Sequence, residues 1–369
     1  MEIIKVEWRG VKIPYGHLEG SGGRQLERYG LLLWVQADNG LIGVGEASPP
    51  GSASEDRIVE IGNLLHDLAP TAIGLSPTIA FDVVSALTPK TTEGETLRFG
   101  LETAMLDLQG QQYQRPIEDL LNGVIDWVPM CADISFVEPD EAARQAAQAV
   151  ADGYRCLKLS IGSRFAEHDV EVVRQVRETI GYDVALRADA DESWSPEREI
   201  ATIAQLEKFN LEYVEQPVTA FDLNGMAMVR AACSTPIAAD ESVNTIEDAQ
   251  AVIDAGAADV LVIKPTRAGG IRASQAIMDL SAEHSMRSVI VSSMETGVGI
   301  AAALHLASSR GKAEASGLAS GRLLESDLLV HPLVPVRGHI TVPQRPGLGV
   351  EVDRDAVDRY TTGVMGVVQ

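Results

Sequence analysis

The sequence predicts an α/β chain in which a (β/α)-barrel follows an α+β domain. Three observations predict it: an opening run of strands with a hairpin, a helical stretch over 54–122, and short apolar runs that then recur about every 25 residues. In the opening run, residues 31–35 and 41–44 flank Asp38-Asn39-Gly40, and Asn-Gly readily takes the positive φ values a tight hairpin needs. In the helical stretch, residues 97–108 place apolar side chains at i, i+3, i+4 and i+7. Past residue 126 the predicted strands are 127–132, 155–161, 184–189, 211–215, 236–239, 259–264, 288–293 and 315–319, with helices such as 139–152, 166–179 and 196–208 between most of them. Eight βα-like units suit a barrel of about 200–250 residues. Repeat length alone leaves a doubly wound open sheet as the rival. The tail carries Pro332, Pro335, Pro343 and Pro346, which favour an extended return path. The expected divisions are 1–125 for an α+β capping domain, 126–325 for the barrel, and 326–369 for a segment returning to the cap.

Composition narrows the function. A chain of 369 residues with 45% apolar content can bury a sizeable core. Lys and Arg number 30 against 53 Asp and Glu, a net charge of −23, so the overall field repels polyanions and nucleic acid is not an expected partner. A local cluster of cations or a bound metal still permits a small anionic substrate. Met1 to Arg9 show no apolar segment after a basic one, and no run of about 18 apolar residues occurs, so neither secretion nor membrane insertion is expected and a cytoplasmic location is. Association into a homo-oligomer is left open. Cys131, Cys156 and Cys233 stand singly, without CxxC spacing, as reduced thiols, and no HExxH or His/Cys group forms. Any metal must then be held by oxygen.

Three carboxylates occupy the same place in three successive repeats. Asp189 ends the strand Val184-Ala185-Leu186-Arg187-Ala188-Asp189, Glu215 ends Leu211-Glu212-Tyr213-Val214-Glu215, and Asp240 follows Pro236-Ile237-Ala238-Ala239. Acids at strand ends are individually more often helix caps or solvated loop residues. Three in phase are different, because a barrel converges its carboxyl ends on one face and the acids would repel one another there. A hard divalent cation relieves that repulsion, and an all-oxygen set leaving room for water and substrate suits Mg²⁺. Lys264 ends the next strand, and Lys158 lies in Cys156-Leu157-Lys158-Leu159-Ser160-Ile161 on the far side. Strand alternation puts Lys158 and Ser160 on one face. The bland reading of each lysine is an ion pair, for Lys158 with Asp189 or Glu241. The functional reading is a base, which needs its pKa brought from about 10.4 to roughly 7–8, about 4 kcal/mol of differential stabilisation. A lysine base beside a metal that binds a substrate carboxylate is equipped to remove the proton α to that carboxylate.

These residues resemble the enolase superfamily. Arg187-Ala188-Asp189-Ala190-Asp191, Val214-Glu215-Gln216-Pro217, Ile237-Ala238-Ala239-Asp240-Glu241-Ser242 and Lys264-Pro265-Thr266-Arg267-Ala268-Gly269-Gly270 look like the metal-ligand strands and KxxxxGG element of its muconate-lactonizing subgroup. The resemblance implies a modified (β/α)7β TIM-like barrel with an N-terminal α+β capping domain, and Mg²⁺ on Asp189, Glu215 and Asp240. It also implies Asp191 and Glu241 as supporting groups behind the ligands, and Lys264 as the lysine opposite the KxK strand. Within the subgroup, Tyr29-Gly30-Leu31-Leu32-Leu33, Gly43-Val44-Gly45-Glu46-Ala47-Ser48-Pro49, Ser292-Ser293-Met294-Glu295-Thr296-Gly297-Val298-Gly299 and Gly317-Leu318-Ala319-Ser320-Gly321 are most similar to the o-succinylbenzoate synthases. That family dehydrates a cyclohexadiene carboxylate with a succinyl arm to the aromatic acid of menaquinone biosynthesis. Dipeptide epimerases of the subgroup carry two acids at the end of the last strand, where this chain has Leu318-Ala319-Ser320. N-acylamino acid racemases share the synthase site design.

One position departs from the pattern. The subgroup has Lys-x-Lys on the second strand, its second lysine moving the α-proton, and here Lys158-Leu159-Ser160 puts a serine there. A serine hydroxyl is no base near neutral pH without a partner, and no histidine lies nearby in sequence. Three readings are open: a Lys→Ser replacement introduced to trap ligand, an enzyme using Lys264 or Lys158 as sole base, or a chain that binds a carboxylate without turning over. Gly297-Val298-Gly299-Ile300-Ala301-Ala302 formally matches a dinucleotide fingerprint, but it lies in the seventh repeat and lacks the acid about 20 residues on. Its glycines instead expose N–H groups at a helix N-terminus that would hold a substrate carboxylate, or simply make a tight turn. Ser293, Glu295, Gly297 and Arg24 are therefore the expected substrate contacts. The stretches 16–24 and 48–52 are expected to close over the barrel mouth, and Arg267 is a further candidate partner for a second carboxylate.

Overall fold

The computed structural model describes residues 1–16, 26–51, 54–135, 138–163, 165–193, 195–310 and 314–369. Strands β1 (Ile3–Pro14), β2 (Glu27–Ala37) and β3 (Ile42–Ala47) open the chain, followed by helices α1 (Glu55–Leu68), α2 (Pro77–Leu87), α3 (Thr92–Tyr113) and the short α4 (Ile117–Leu120). The hairpin between β2 and β3 turns at Gly40, whose φ of 85° suits the residue that the Asn-Gly signal placed there. Gly43 and Gly45 on β3 let α3 press against the sheet, since a Cβ at either would run into the carbonyl of Ala104 or Gly100. Helix α3 is thereby enclosed on almost every side, which explains why its apolar residues are not confined to one stripe.

The barrel follows. A short β4 (Trp127–Pro129) leads into β5 (Ala132–Ile134), α5 (Pro139–Ala151), β6 (Cys156–Ser160), α6 (Ala166–Ile180), β7 (Ala185–Asp189), α7 (Pro196–Leu206), β8 (Tyr213–Glu215), α8 (Leu223–Ala232), β9 (Ile237–Ala239), α9 (Ile246–Asp254), β10 (Val260–Ile263), α10 (Pro265–Ala268), α11 (Ile271–Glu283), β11 (Arg287–Ile290) and α12 (Gly297–Ser308). Strands β5 to β11 form a parallel sheet of seven in sequential order. Ser316 and Gly317 close it, bridging Met130 on one side and Val291 on the other in parallel register. The fold is thus the capped TIM-like α/β barrel, and the open doubly wound sheet is ruled out. Alternate residues along each strand face the helices: Leu157, Leu159, Leu186, Ala188, Val214, Ile237, Leu261 and Ile263 all belong to the main core. The residues between them point into the barrel, where Tyr213, Ala238, Val260, Val262 and Val289 make a second apolar cluster.

Two predicted strands need correction. The segment 127–132 splits, with Trp127–Pro129 pairing antiparallel to β12 (His339–Thr341) and the barrel strand starting at Ala132. Pro129 has no N–H to give to a central ladder, although its carbonyl still accepts from the Ser316 N–H at 2.8 Å. The segment 315–319 contributes only the two bridging residues. After β12, α13 (Arg354–Tyr360) leads to β13 (Thr361–Val368), which joins the cap sheet beside β1 in the order β13-β1-β2-β3.

Cap and barrel are joined by buried carboxylates at helix N-termini. Glu46 on β3 accepts the Thr296 N–H at 2.7 Å, the Thr296 hydroxyl at 2.6 Å and the Gly299 N–H at 2.8 Å, and so caps α12. Glu102 on α3 accepts the Ile271 and Arg272 N–H groups at the start of α11. Burial nonetheless pushes Glu102 up to about 7. His305 on α12 ties in the connecting segments: Nδ1 accepts the Glu118 N–H at 3.2 Å and Nε2–H donates to the Leu348 carbonyl at 3.1 Å. The bond accepted at Nδ1 requires the neutral ring, and burial draws its pKa down from 6.5 to about 4.

A histidine held below its unfolded pKa stabilises the fold fully above that value and loses its contribution as pH falls toward the folded pKa. The window here is pH 6.5 to about 4, and the loss is about 3 kcal/mol at the bottom of it. Urea unfolding of the wild type and His305→Gln should show their stability difference shrinking by about that amount across the window. A constant difference would contradict the neutral-ring assignment.

Candidate active site

Strand register builds the site. Ser160 lies beside Asp189, and Asp189 beside Glu215, in adjacent parallel strands, while Asp240 and Lys264 each follow their strand by one residue. All five therefore share one layer at the carboxyl ends of the barrel. One layer below, Lys158 is in register with Asp133 on one side and Arg187 on the other. Lys158 Nζ reaches up to Asp189 Oδ2 at 2.8 Å and Glu215 Oε1 at 2.7 Å. Lys264 Nζ pairs with Asp240 Oδ2 and stands 3.6 Å from Glu241 Oε1, which Arg267 approaches at 3.8 Å from outside.

Burial sets the electrostatics of this cluster. Glu215 is fully buried and Asp240 is 4% exposed. Burial alone would lower the Lys158 pKa, but Glu215, Asp189, Asp133 and Asp240 outweigh it and hold the ammonium well above its ordinary range. Lys264 is likewise opposed by burial and raised by Asp240 and Glu241, with Arg267 acting against that rise. Glu215 is pushed up by burial and by Asp189 and Asp240, against the pull of Lys158. Asp240 is held down, because Lys264 and Lys158 overcome its burial, and Glu241 is pushed up to about 7 by burial and by Asp240.

The layer opens into a cavity of about 290 Å³. Lys158, Ser160, Asp189, Asp191, Glu215, Asp240, Glu241 and Lys264 all line it, so the sequence-predicted catalytic, ligand and supporting groups come together. Cys131, Asp133, Arg187, Tyr213, Ser292, Met294, Ser320 and Leu323 also line it, with Val291 and Gly317. Arg187 and Tyr213 were legible two residues before Asp189 and Glu215 on the inward face, and Asp133 was missed because the first barrel strand was placed short of it. A larger cleft of about 710 Å³ lies at the seam of cap and barrel, but Arg57, Arg98 and Arg267 on its walls are each matched by a glutamate.

Three expected substrate contacts are elsewhere. Ser293 and Glu295 are buried outside the cavity, and the Glu295 carboxylate accepts the Ser293 N–H at 2.7 Å and the Thr266 hydroxyl. The Gly297 N–H donates to the Asp327 carbonyl at 2.8 Å. The start of α12, expected to take a substrate carboxylate, is filled by the protein's own Glu46, so these residues organise the loop below the mouth. Arg24 and most of the 16–24 stretch lie outside the described residues.

Among the described residues, no three His, Cys, Asp or Glu side chains converge closely enough to chelate an ion. The three carboxylates read as a joint ligand set are divided between two ammonium groups instead. The donor set nevertheless suits a hard cation, being wholly carboxylate oxygen, and Glu215 Oε2 is buried without any hydrogen-bond partner. Asp189, Glu215 and Asp240 are the side chains able to hold one.

Comparison with known proteins agrees with this arrangement. Residues 141–356 match the enolase C-terminal domain-like family, and residues 20–122 match the N-terminal domain of mandelate racemase and muconate lactonizing enzyme. The chain belongs to the mandelate racemase/muconate lactonizing branch of the enolase superfamily. It is 30% identical over 324 residues to the L-Ala-D/L-Glu epimerase of Clostridium acetobutylicum, covering 87% of this chain and 90% of that one. It is 39% identical over 222 residues to the o-succinylbenzoate synthase of Thermobifida fusca, covering 59% of this chain and 68% of the relative. The solved structure of the dipeptide epimerase from Enterococcus faecalis V583, complexed with Mg and the dipeptide L-Leu-L-Tyr, superposes with a TM-score of 0.87 at 27% identity over 95% of this chain and all of that one. Among the described residues, no helix is long and apolar enough to cross a membrane.

The ligand assignment predicts that Mg²⁺ raises the thermal midpoint of the wild type, by binding the folded state. Asp189→Asn, Glu215→Gln and Asp240→Asn should each abolish the rise in a thermal-shift titration. A rise that survives all three substitutions would place the ion elsewhere.

Proposed function

We propose that this superfamily enzyme removes the proton α to a substrate carboxylate and eliminates water, in the manner of an o-succinylbenzoate synthase. The observation that carries the reading is the asymmetry of the mouth layer. Lys264 presents an amine at the end of β10, while the position at the end of β6 beside Asp189 presents only the Ser160 hydroxyl. Lys158, one layer deeper, is bound to two carboxylates at 2.7–2.8 Å and serves as a fixed positive charge. One face of a substrate in the cavity therefore meets an amine and the other a hydroxyl.

Elimination works from one face. Lys264 is held as the ammonium by Asp240 and Glu241 in this structure and must first lose that proton to solvent. As the free amine it takes the α-proton, the electron pair forms the new double bond as the β-carbon–oxygen bond breaks, and Lys264 returns the same proton to the departing hydroxyl, so that water leaves and the lysine is restored. Mg²⁺ on Asp189, Glu215 and Asp240 would supply positive charge to the substrate carboxylate. Ser160, Ser292 and Ser320 offer hydroxyls to the rest of the substrate, and the Ser292 hydroxyl donates to that of Ser320 at 2.8 Å. Epimerisation of a dipeptide or racemisation of an N-acylamino acid is the second reading, favoured by the identity to dipeptide epimerases. It needs a base on each face, which Ser160 does not supply. A dipeptide ammonium would also find no acid at Leu318-Ala319-Ser320.

Under this mechanism Lys264→Met lowers kcat for dehydration of a succinyl-bearing cyclohexadiene carboxylate by at least about 10²-fold, the usual scale for loss of a general base. Ser160→Lys adds an amine to the opposite face, so racemisation of N-succinyl-L-amino acids, followed by polarimetry, should appear in that variant and be absent from the wild type. Full activity in Lys264→Met, or racemisation by the wild type, would overturn the one-sided mechanism.

A further inference from the structure

The most deeply buried cation at the join of the two domains is Arg28, on β2 of the cap, with 2% of its surface exposed. Its guanidinium spends four N–H donors on backbone carbonyls rather than on a substrate: Nε on Met294 at 2.8 Å, Nη2 on Ser293 at 2.9 Å and Ser48 at 3.1 Å, and Nη1 on Pro49 at 2.6 Å. Two of these carbonyls belong to the cap loop after β3 and two to the turn after β11. A guanidinium is suited to this because its donors are held in a rigid planar fork that a lysine cannot reproduce. Glu46 and Glu295 lie close enough to offset part of the cost of burying the charge.

The turn it grips forms part of the cavity wall. Ser292 and Met294 both line the cavity, and Met294 has a φ of 69°, a left-handed conformation that a side-chain-bearing residue adopts only under constraint. Within the turn the Met294 N–H donates to the Ser292 hydroxyl at 3.4 Å, and two further groups constrain it. From below, the Glu295 carboxylate holds the Ser293 N–H; from above, Arg28 holds the Ser293 and Met294 carbonyls. The Ser293 hydroxyl itself is buried without a partner, so the shape of the turn is imposed through its backbone.

We propose that Arg28 is a positioning residue for substrate specificity, clamping the 292–294 turn to the 48–49 loop of the cap and so projecting Met294 into the cavity as the wall that limits substrate size. The inference rests on the proposed reaction for its kinetic readout, and on the geometry of the turn for its structural one. Without the clamp, Met294 relaxes from the left-handed region and the cavity widens on that side. Bulkier carboxylates then gain relative to compact ones, and the change falls on KM more than on kcat, because no reacting atom is touched.

The test compares the wild type, Arg28→Met, Arg28→Lys and Met294→Gly, each first checked for folding by circular dichroism and thermal unfolding. Crystal structures of Arg28→Met and the wild type read the Met294 φ directly. KM and kcat are measured for a compact and a bulky succinyl-bearing cyclohexadiene carboxylate. The expected result is a negative Met294 φ in Arg28→Met, with a roughly tenfold shift of the KM ratio toward the bulky substrate. Arg28→Lys should be intermediate, and Met294→Gly, which tolerates the positive φ but has no side chain, should show the same shift in preference with the turn unmoved. A folded Arg28→Met with Met294 still at positive φ and an unchanged KM ratio would overturn the inference. A wild type that dehydrates neither compound would refute the proposed reaction instead, and the Met294 φ would then decide the role of Arg28 alone.

Discussion

Carboxylates and lysines share the mouth of this barrel, and neither set can be enclosed there without the other. Glu215 and Asp240 are withdrawn from water, with Asp189 and Glu241 beside them, and Lys158 and Lys264 are the charges that make this possible. A lone buried charge of either sign is costly, whereas a paired one is tolerated when its remaining valences are satisfied. The two lysines divide the work unequally. Lys158 bridges two acids from below; Lys264 sits in the acid layer itself, with one firm partner and one distant one. That inequality, together with the hydroxyl at Ser160, makes the mouth layer one-sided, and the proposed elimination rests on that asymmetry.

The cap depends on the same principle, applied to partial charges. Glu46 and Glu102 are carboxylates from the first domain that satisfy the exposed N–H groups of two barrel helices, α12 and α11. Arg28 does the converse, satisfying carbonyls on both sides of the join with a buried cation. The relative placement of the cap loop and the barrel mouth is thus written in charge-assisted hydrogen bonds to backbone, which are directional. The cavity wall inherits its shape from that join, and so does any selectivity the wall exerts.

Much of the fold and the reactive layer was legible in the sequence because both follow from short-range periodicity. Apolar runs repeating with the length of a βα unit mark the strands, and the strict alternation of a strand puts Lys158 and Ser160 on one face. What was not legible depended on contacts distant along the chain. Gly297 and Gly299 read equally as donors for a substrate carboxylate or as a tight turn, since sequence does not show that Glu46, 250 residues before Thr296, already fills that place. Asp133 was missed because Pro129 shifts the start of the first barrel strand. Arg28 carries no local signal at all, as its partners are four carbonyls in two separate loops. The ion pair of Lys158 with Asp189 is one that the sequence suggests, whereas its second pair with Glu215 is not, since ion-pair geometry depends on side-chain reach across strands.

In the proposed reaction, proton transfer at the α-carbon occurs from one face only. The most direct measurement incubates the protein with Mg²⁺ and an N-succinyl-L-amino acid in D₂O, recovers the compound, and reads both its α-deuterium content and its configuration by NMR and chiral chromatography. One-sided chemistry by Lys264 predicts that deuterium enters the α-position with the L configuration retained. Deuterium entering with conversion to the D enantiomer would contradict it, and would place a second working base on the face where this chain has Ser160.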